Sequence, residues 1–242
     1  MFFSISLANA TQSIVAASFT RLMNNMKKIA GFFAAAFLLA LTAGAQKKLT
    51  EGTISYDIVI NTGSDKPQAA DFLDGATSTV YIKGPKTRTE MVSSLGTQAT
   101  IIDGAKNSIN IIKEFGEQKY LISMTPANFK EANKRFENVT FTYLNDEKTI
   151  LGYKVKRAIG KLDNGSQFTV WYTTDLVPEN KDFQYVNRGL PGLAMEYESS
   201  VGNLQVTYTV SKISLNPVPA AKFDLPKSGY RVMTYEESTG RN

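Results

Sequence analysis

Glu196 and Glu198 lie two positions apart in the run Leu193-Ala194-Met195-Glu196-Tyr197-Glu198. On a strand this spacing puts both carboxylates on one face about 7 Å apart, within reach of the acid and base of a glycosidase. Such chemistry needs one carboxyl held protonated by burial or by a neighbouring charge. Nothing in the run does that, so the pair reads as a solvated face opposite Met195 and Tyr197. Arg88 and Glu90 have the same spacing. A cross-strand ion pair accounts for them, and an Arg88 guanidinium holding an anionic head group at a cavity rim is the functional alternative. Asn145-Asp146-Glu147 offers oxygen ligands for calcium but lacks the Asp-x-Asp-x-Asp-Gly spacing, and it reads as a charged turn. The chain contains no cysteine and no histidine. That excludes disulfides, soft-ligand zinc, haem and iron–sulfur sites, and histidine-assisted nucleophiles, and no cofactor is expected.

The pattern that speaks most for binding is aromatic. Tyr56, Phe141, Tyr143, Tyr153, Phe168, Tyr172, Tyr197 and Tyr208 all fall on the apolar side of alternating runs. A buried tyrosine needs a partner for its hydroxyl, so an interior rich in tyrosine accords with enclosed water or a ligand. A core packed under helices accords with it equally, because alternation tells which side is apolar and not whether that side is filled. These eight residues, with Arg88, are the candidate ligand contacts.

A sheet is needed to line them up. Ile54, Tyr56, Ile58 and Ile60 alternate with Ser55 and Asp57, and the same period of two recurs at Val139-Phe141-Tyr143, Leu151-Tyr153-Val155, Phe168-Val170-Tyr172 and Leu204-Val206-Tyr208-Val210. Gly84-Pro85, Asp103-Gly104, Asn164-Gly165 and Gly202-Asn203 separate strand-like runs with hairpin chemistry. Gly189-Leu190-Pro191-Gly192-Leu193 has Pro and Gly where a type II turn places them, with Leu190 and Leu193 free to pack. Two short helices are expected, at 67–73 and at 125–135, the second with Thr125 as N-cap and Pro126 at its first position. The fold class is mainly β: about ten strands in one antiparallel meander, which at that size must curl into a curved sheet or unclosed barrel with an apolar inner face.

Met26-Lys27-Lys28 precedes an apolar run over 29–43 that is shorter than the roughly 20 residues of a membrane-spanning helix. Ala43 and Ala45 frame an A-x-A site before Gln46. Residues 1–25 therefore read as a mis-assigned start, 26–45 as a signal peptide, 46–235 as one β domain and 236–242 as a disordered tail. The expected product is periplasmic or secreted and not a transmembrane protein; without a cysteine after the apolar run it carries no lipid anchor. Arg21, Lys27 and Lys28 lie in the leader, which has no acidic residue, so the remainder is close to neutral and no nucleic-acid partner is expected.

Three stretches resemble the LolA-like lipoprotein-carrier superfamily: Val80-Tyr81-Ile82-Lys83-Gly84-Pro85 running on to Arg88-Thr89-Glu90; Ile101-Ile102-Asp103-Gly104; and Ala220-Ala221-Lys222-Phe223-Asp224-Leu225-Pro226 with Gly229-Tyr230. The chain is more similar still to uncharacterised exported proteins of Bacteroidetes type, a domain-of-unknown-function family placed near the carriers, and the 189–193 pentapeptide echoes the GLPGLI family. The resemblance implies an unclosed barrel over a hydrophobic cavity. It also directs attention to Arg88, because Gly84 stands where the carriers have their functional arginine. The leading reading is a non-enzymatic exported protein binding a lipid, acylated or otherwise hydrophobic ligand in the concavity. The alternative is an envelope structural or protein-interaction module with an envelope protein as partner, and a carboxylate-dependent hydrolase ranks third.

Overall fold

The computed structural model describes residues 46–61, 75–201 and 204–240; the leader over 1–45, the helix expected at 67–73 and the Gly202-Asn203 turn lie outside them. The strands are β1 (Lys47–Leu49), β2 (Glu51–Asn61), β3 (Thr77–Lys83), β4 (Lys86–Ser93), β5 (Gly96–Asp103), β6 (Ser108–Phe115), β7 (Gln118–Met124), β8 (Thr140–Ile150), β9 (Tyr153–Lys161), β10 (Gln167–Thr173), β11 (Leu176–Pro178), β12 (Leu193–Val201), β13 (Leu204–Ser214) and β14 (Arg231–Thr234). Helices α1 (Pro126–Ala132) and α2 (Tyr235–Thr239) are accompanied by 3-10 turns at Lys134–Phe136, Asp182–Asn187 and Ala220–Phe223.

Among the described residues twelve strands form one sheet in the order β14-β7-β6-β5-β4-β3-β2-β13-β12-β10-β9-β8, while β1 and β11 make a separate parallel pair. The fold is thus two meanders, β2 to β7 and β8 to β13, zipped together along β2 and β13. The mainly β, curved and unclosed sheet expected from the sequence is what forms, with twelve strands for the expected ten or so and two joined meanders in place of one.

Residues 125–139 carry the chain from β7 to β8, ten strand spacings away in the sheet. In a flat sheet that distance would be about 48 Å. One short α-helix, one 3-10 turn and a few extended residues reach only about 33 Å. The sheet must curl to bring β8 back toward β7, and it is curved but unclosed, since β8 and β14 do not pair.

Helix α1 forms as expected. Thr125 accepts from the backbone N–H of Asn128 while the Asn128 side chain accepts from the Thr125 N–H, and Pro126 opens the helix. The tail differs from expectation. Thr234 and Glu237 make a reciprocal cap, Tyr235–Thr239 is helical, and Gly240 closes it at φ 66°.

Leu151, expected within a strand, instead forms the β8–β9 turn with Gly152, at φ 49° and 80°. Asn145 and Asp146 lie inside β8, where its pairing with β9 shifts between Tyr143 and Glu147, and not in a turn. The 189–193 pentapeptide is not a type II turn either, because Gly192 has no positive φ. Leu190 and Leu193 are fully buried as expected.

The main core gathers Leu49, Ile54, Tyr56, Val80, Ile82, Val155, Leu176, Leu193, Met195 and Val210. At the β5–β7 end both faces are covered. Tyr230 packs on Ala99, Ile101, Ile112 and Leu121, while Phe129 and Tyr235 pack on Ile102, Ile109 and Met124. No helix among the described residues is long and apolar enough to cross a membrane.

Candidate ligand-binding site

Cross-strand register shows which expected contacts share a face. Ile58, Tyr208, Tyr197, Val170, Ala158 and Tyr143 pair successively across β2, β13, β12, β10, β9 and β8. Side chains directly opposite one another share a face, so this row defines the inner face, and Tyr56, Phe168, Tyr172 and Phe141 join it at two-residue steps. Tyr197 stacks on Tyr208 with centroids 4.7 Å apart, and Tyr56 meets Tyr197 edge-on at 5.9 Å. Phe141 and Phe168 both lie opposite Gly160; a Cβ there would stand 2.3 Å from the Phe168 ring. The Tyr56 hydroxyl donates to the Ala194 carbonyl at 3.0 Å.

Burial pushes the phenols of Tyr56, Tyr197, Tyr208 and Tyr172 upward, with neighbouring tyrosines adding to the effect at Tyr197 and Tyr172. Tyr56 and Tyr172 are buried, whereas Tyr143 at the β8 edge is 51% exposed. This part of the inner face is packed side chain against side chain. Tyr153 does not belong to the row: it pairs with Ile150 at the hairpin tip, and both pack against the main core.

The open part of the inner face is elsewhere. Ile82, Thr87, Ile102 and Ile109 continue that face across β3 to β6. A cleft of about 400 Å³ opens over Ile102 and Ile109, roofed by Pro126, Phe129, Tyr185 and Arg188 and rimmed by Asp103, Asn107, Lys130, Glu137 and Asp182. Phe129 and Tyr185 meet edge-on at 5.4 Å, tying α1 to the 3-10 turn at Asp182–Asn187.

Most of its charges are already matched. Glu137 pairs with Lys130 at 2.9 Å, and that hydrogen bond raises the Lys130 pKa. Asp103 accepts from the N–H groups of Ala105 and Lys106 and pairs with Lys86 at 3.4 Å. The Arg188 guanidinium lies 4.2 Å from the centroid of the Tyr185 ring and donates to the Glu137 carbonyl at 2.9 Å. Arg188 has no acidic partner among the described residues.

With this geometry in place, the chain can be set beside known proteins. A family described as a domain of unknown function, DUF4412, matches residues 73–186. No curated protein matches. Among solved structures, an uncharacterised conserved protein from Thermus thermophilus aligns at 10% identity and TM-score 0.45, covering 83% of this chain and 98% of that one. The protein PNGF-II aligns in two crystal forms at 15% and 14% identity with TM-scores of 0.42 and 0.40, covering 76% and 78% of this chain. The chain spans about a third of PNGF-II, 31% and 32% in the two forms. The DUF4412 match takes in β3 to β11 and every cleft residue except Arg188.

Arg88 does not join the aromatic residues or the cleft. It pairs with Tyr81 and Ile101, which alternate with the inner-face positions Ile82 and Ile102, so it lies on the outer face. There it binds Glu90 of its own strand, two residues on, at 2.5 and 2.9 Å and donates to the Lys222 carbonyl at 3.4 Å. Glu196 binds Lys148 at 2.7 Å, and Glu198 is exposed and accepts from the Thr169 N–H at 3.2 Å, so the two carboxylates are engaged separately. Asp146 pairs with Arg157 at 3.1 Å and Glu147 with Lys154 at 2.7 Å, and that hydrogen bond lowers the Glu147 pKa.

The pentapeptide is held by packing and by Gln184. Its amide donates to the Gly192 carbonyl and its oxygen accepts from the Ala194 N–H, while Lys181 donates to the Leu190 carbonyl at 2.7 Å. Nothing in the residue types around Arg188 marks it as a cleft residue. The available signal was its position immediately before the pentapeptide.

Proposed function

We propose that the chain is an exported, non-enzymatic binding protein that shelters a hydrophobic or lipid-like ligand in the cleft beneath α1. The observation that carries this reading is the cleft itself: about 400 Å³ between an isoleucine floor and an aromatic roof, within the size range of small-molecule sites. The export leader and the resemblance to lipoprotein carriers support the same reading. None of the aromatic row lines the cleft, and the ligand contacts are Ile102, Ile109, Phe129 and Tyr185 in its place. Native mass spectrometry of protein secreted by its own host should find a copurifying amphiphile and an N-terminus at Gln46. A ligand-free spectrum, together with no saturable displacement of an environment-sensitive dye by any amphiphile, overturns the binding role. An N-terminus upstream of Met26 overturns the leader assignment.

One observation favours a second reading, an interaction module that takes an envelope protein at a sheet edge. Among the described residues strand β14 has no partner on its far side, and it carries Val232 at 69% exposure. Crosslinking that captures a partner through β14 while the cleft binds nothing would put this reading first.

A further inference from the structure

Five charged side chains surround the cleft: Asp103, Lys130, Glu137, Asp182 and Arg188. Lys130 and Glu137 neutralise one another, and Asp103 is engaged by Lys86 and two backbone N–H groups. Asp182 is exposed at the rim and stands in no ion pair among the described residues. Arg188 is half-buried against Tyr185 and spends one N–H on a neutral carbonyl. It is therefore the one cation of the cleft whose charge is not met by a carboxylate among the described residues. A guanidinium fixed by stacking and by one hydrogen bond keeps further donors for a planar acidic group, and the cost of ordering it has already been met in folding.

We infer that the cleft takes an anionic amphiphile, a carboxylate with an aliphatic body, with Arg188 meeting the head group and Ile102, Ile109 and Phe129 the chain. This rests on the ligand-binding reading above and adds to it the sign of the head group and the residue that selects it. The Phe129–Tyr185 contact links the two parts, since Tyr185 carries Arg188 on its ring face while Phe129 roofs the apolar floor.

The test is a dye-displacement titration of the intact secreted chain with decanoate and with decanol, repeated for Arg188→Gln and Arg188→Lys. Wild type should prefer decanoate by about 10- to 100-fold, the scale of a hydrogen bond to a charged group. Arg188→Gln should abolish that preference by weakening decanoate far more than decanol. Arg188→Lys should retain part of it, being a point charge without the fork. Equal wild-type affinities for the two ligands overturn the head-group assignment while leaving the binding reading intact, and this comparison needs no variant to fold. A preference that survives in a folded Arg188→Gln protein, checked by its melting curve, also overturns the role of Arg188. Binding of neither ligand overturns the inference, and the reading falls with it only when the native spectrum is ligand-free and no other amphiphile displaces the dye.

Discussion

Two glycines separate the need for space from the need for torsion. At Gly192 a Cβ would stand 1.8 Å from the Thr173 carbonyl oxygen, so Gly192→Ala should cost about 3 kcal/mol or prevent folding. Gly84 has φ 55° and open space where a Cβ would go, so Gly84→Ala should cost only about 1 kcal/mol. Denaturant midpoints compare them, and equal losses would refute the distinction. The Pro-Gly pair at 191–192 suggested torsion because the approach of a backbone 19 residues away in sequence leaves no local trace. Arg88 was more legible, since Lys86, Arg88 and Glu90 already marked its face as polar. Arg88→Ala should cost about 1 kcal/mol by stranding a Glu90 side chain that is only 21% exposed, and cleft affinity should be unchanged. A changed affinity would return Arg88 to the site. Arg188 was not legible, because an unmatched charge is a property of its neighbours in space.

At the scale of elements, long strands and Asp-Gly or Asn-Gly hairpins were legible because both signals are local. Strands β1, β11 and β14 have three or four residues, too few to show alternation, and they pair in parallel with segments far away in sequence. The Leu151-Gly152 turn was missed because leucine rarely adopts φ 49°. The tyrosine row has a pH signature of its own. Burial raises the phenol pKa of Tyr56, Tyr197 and Tyr208 in the folded chain, while in the unfolded chain each titrates near the ordinary value of about 10. Above that pH the unfolded state binds fewer protons than the folded one, so stability falls as pH rises. Below it the contribution is complete and flat. An alkaline titration should show tyrosinate absorbance from the exposed tyrosines first, with the row appearing only together with loss of the near-ultraviolet circular dichroism. Smooth titration of all the tyrosines in a protein that stays folded would mean that the row is wet.

For the whole molecule, hairpin neighbours followed from sequence, but the seam did not. Strands β2 and β13 meet across some 150 positions, and nothing local in either names the other. The C-terminal segment shows what such distant closure contributes. Residues 230–235 thread around the β7 edge, placing Tyr230 on the outer cluster of Ala99, Ile101, Ile112 and Leu121 and Tyr235 on the inner cluster of Ile102, Ile109 and Met124. Between them β14 covers β7, the Tyr230 hydroxyl donates to Glu114, and Asn128 of α1 reaches Glu236 at 2.8 Å. Ending the chain after Gly229 removes two half-buried tyrosines and leaves β7 as an exposed edge. The expected loss is about 3 kcal/mol, with light scattering rising as unpaired edges meet. Ending it after Thr234 keeps Tyr230 and the β14–β7 pairing and should cost roughly half as much, while releasing the α1 side of the cleft. Melting curves of the two truncations, with Tyr230→Ala and Tyr235→Ala in the full chain to separate packing from edge exposure, measure each part. Full-length stability in the shorter truncation would show that the segment only rests on the sheet, and the account of a sheet end closed on both faces would fall.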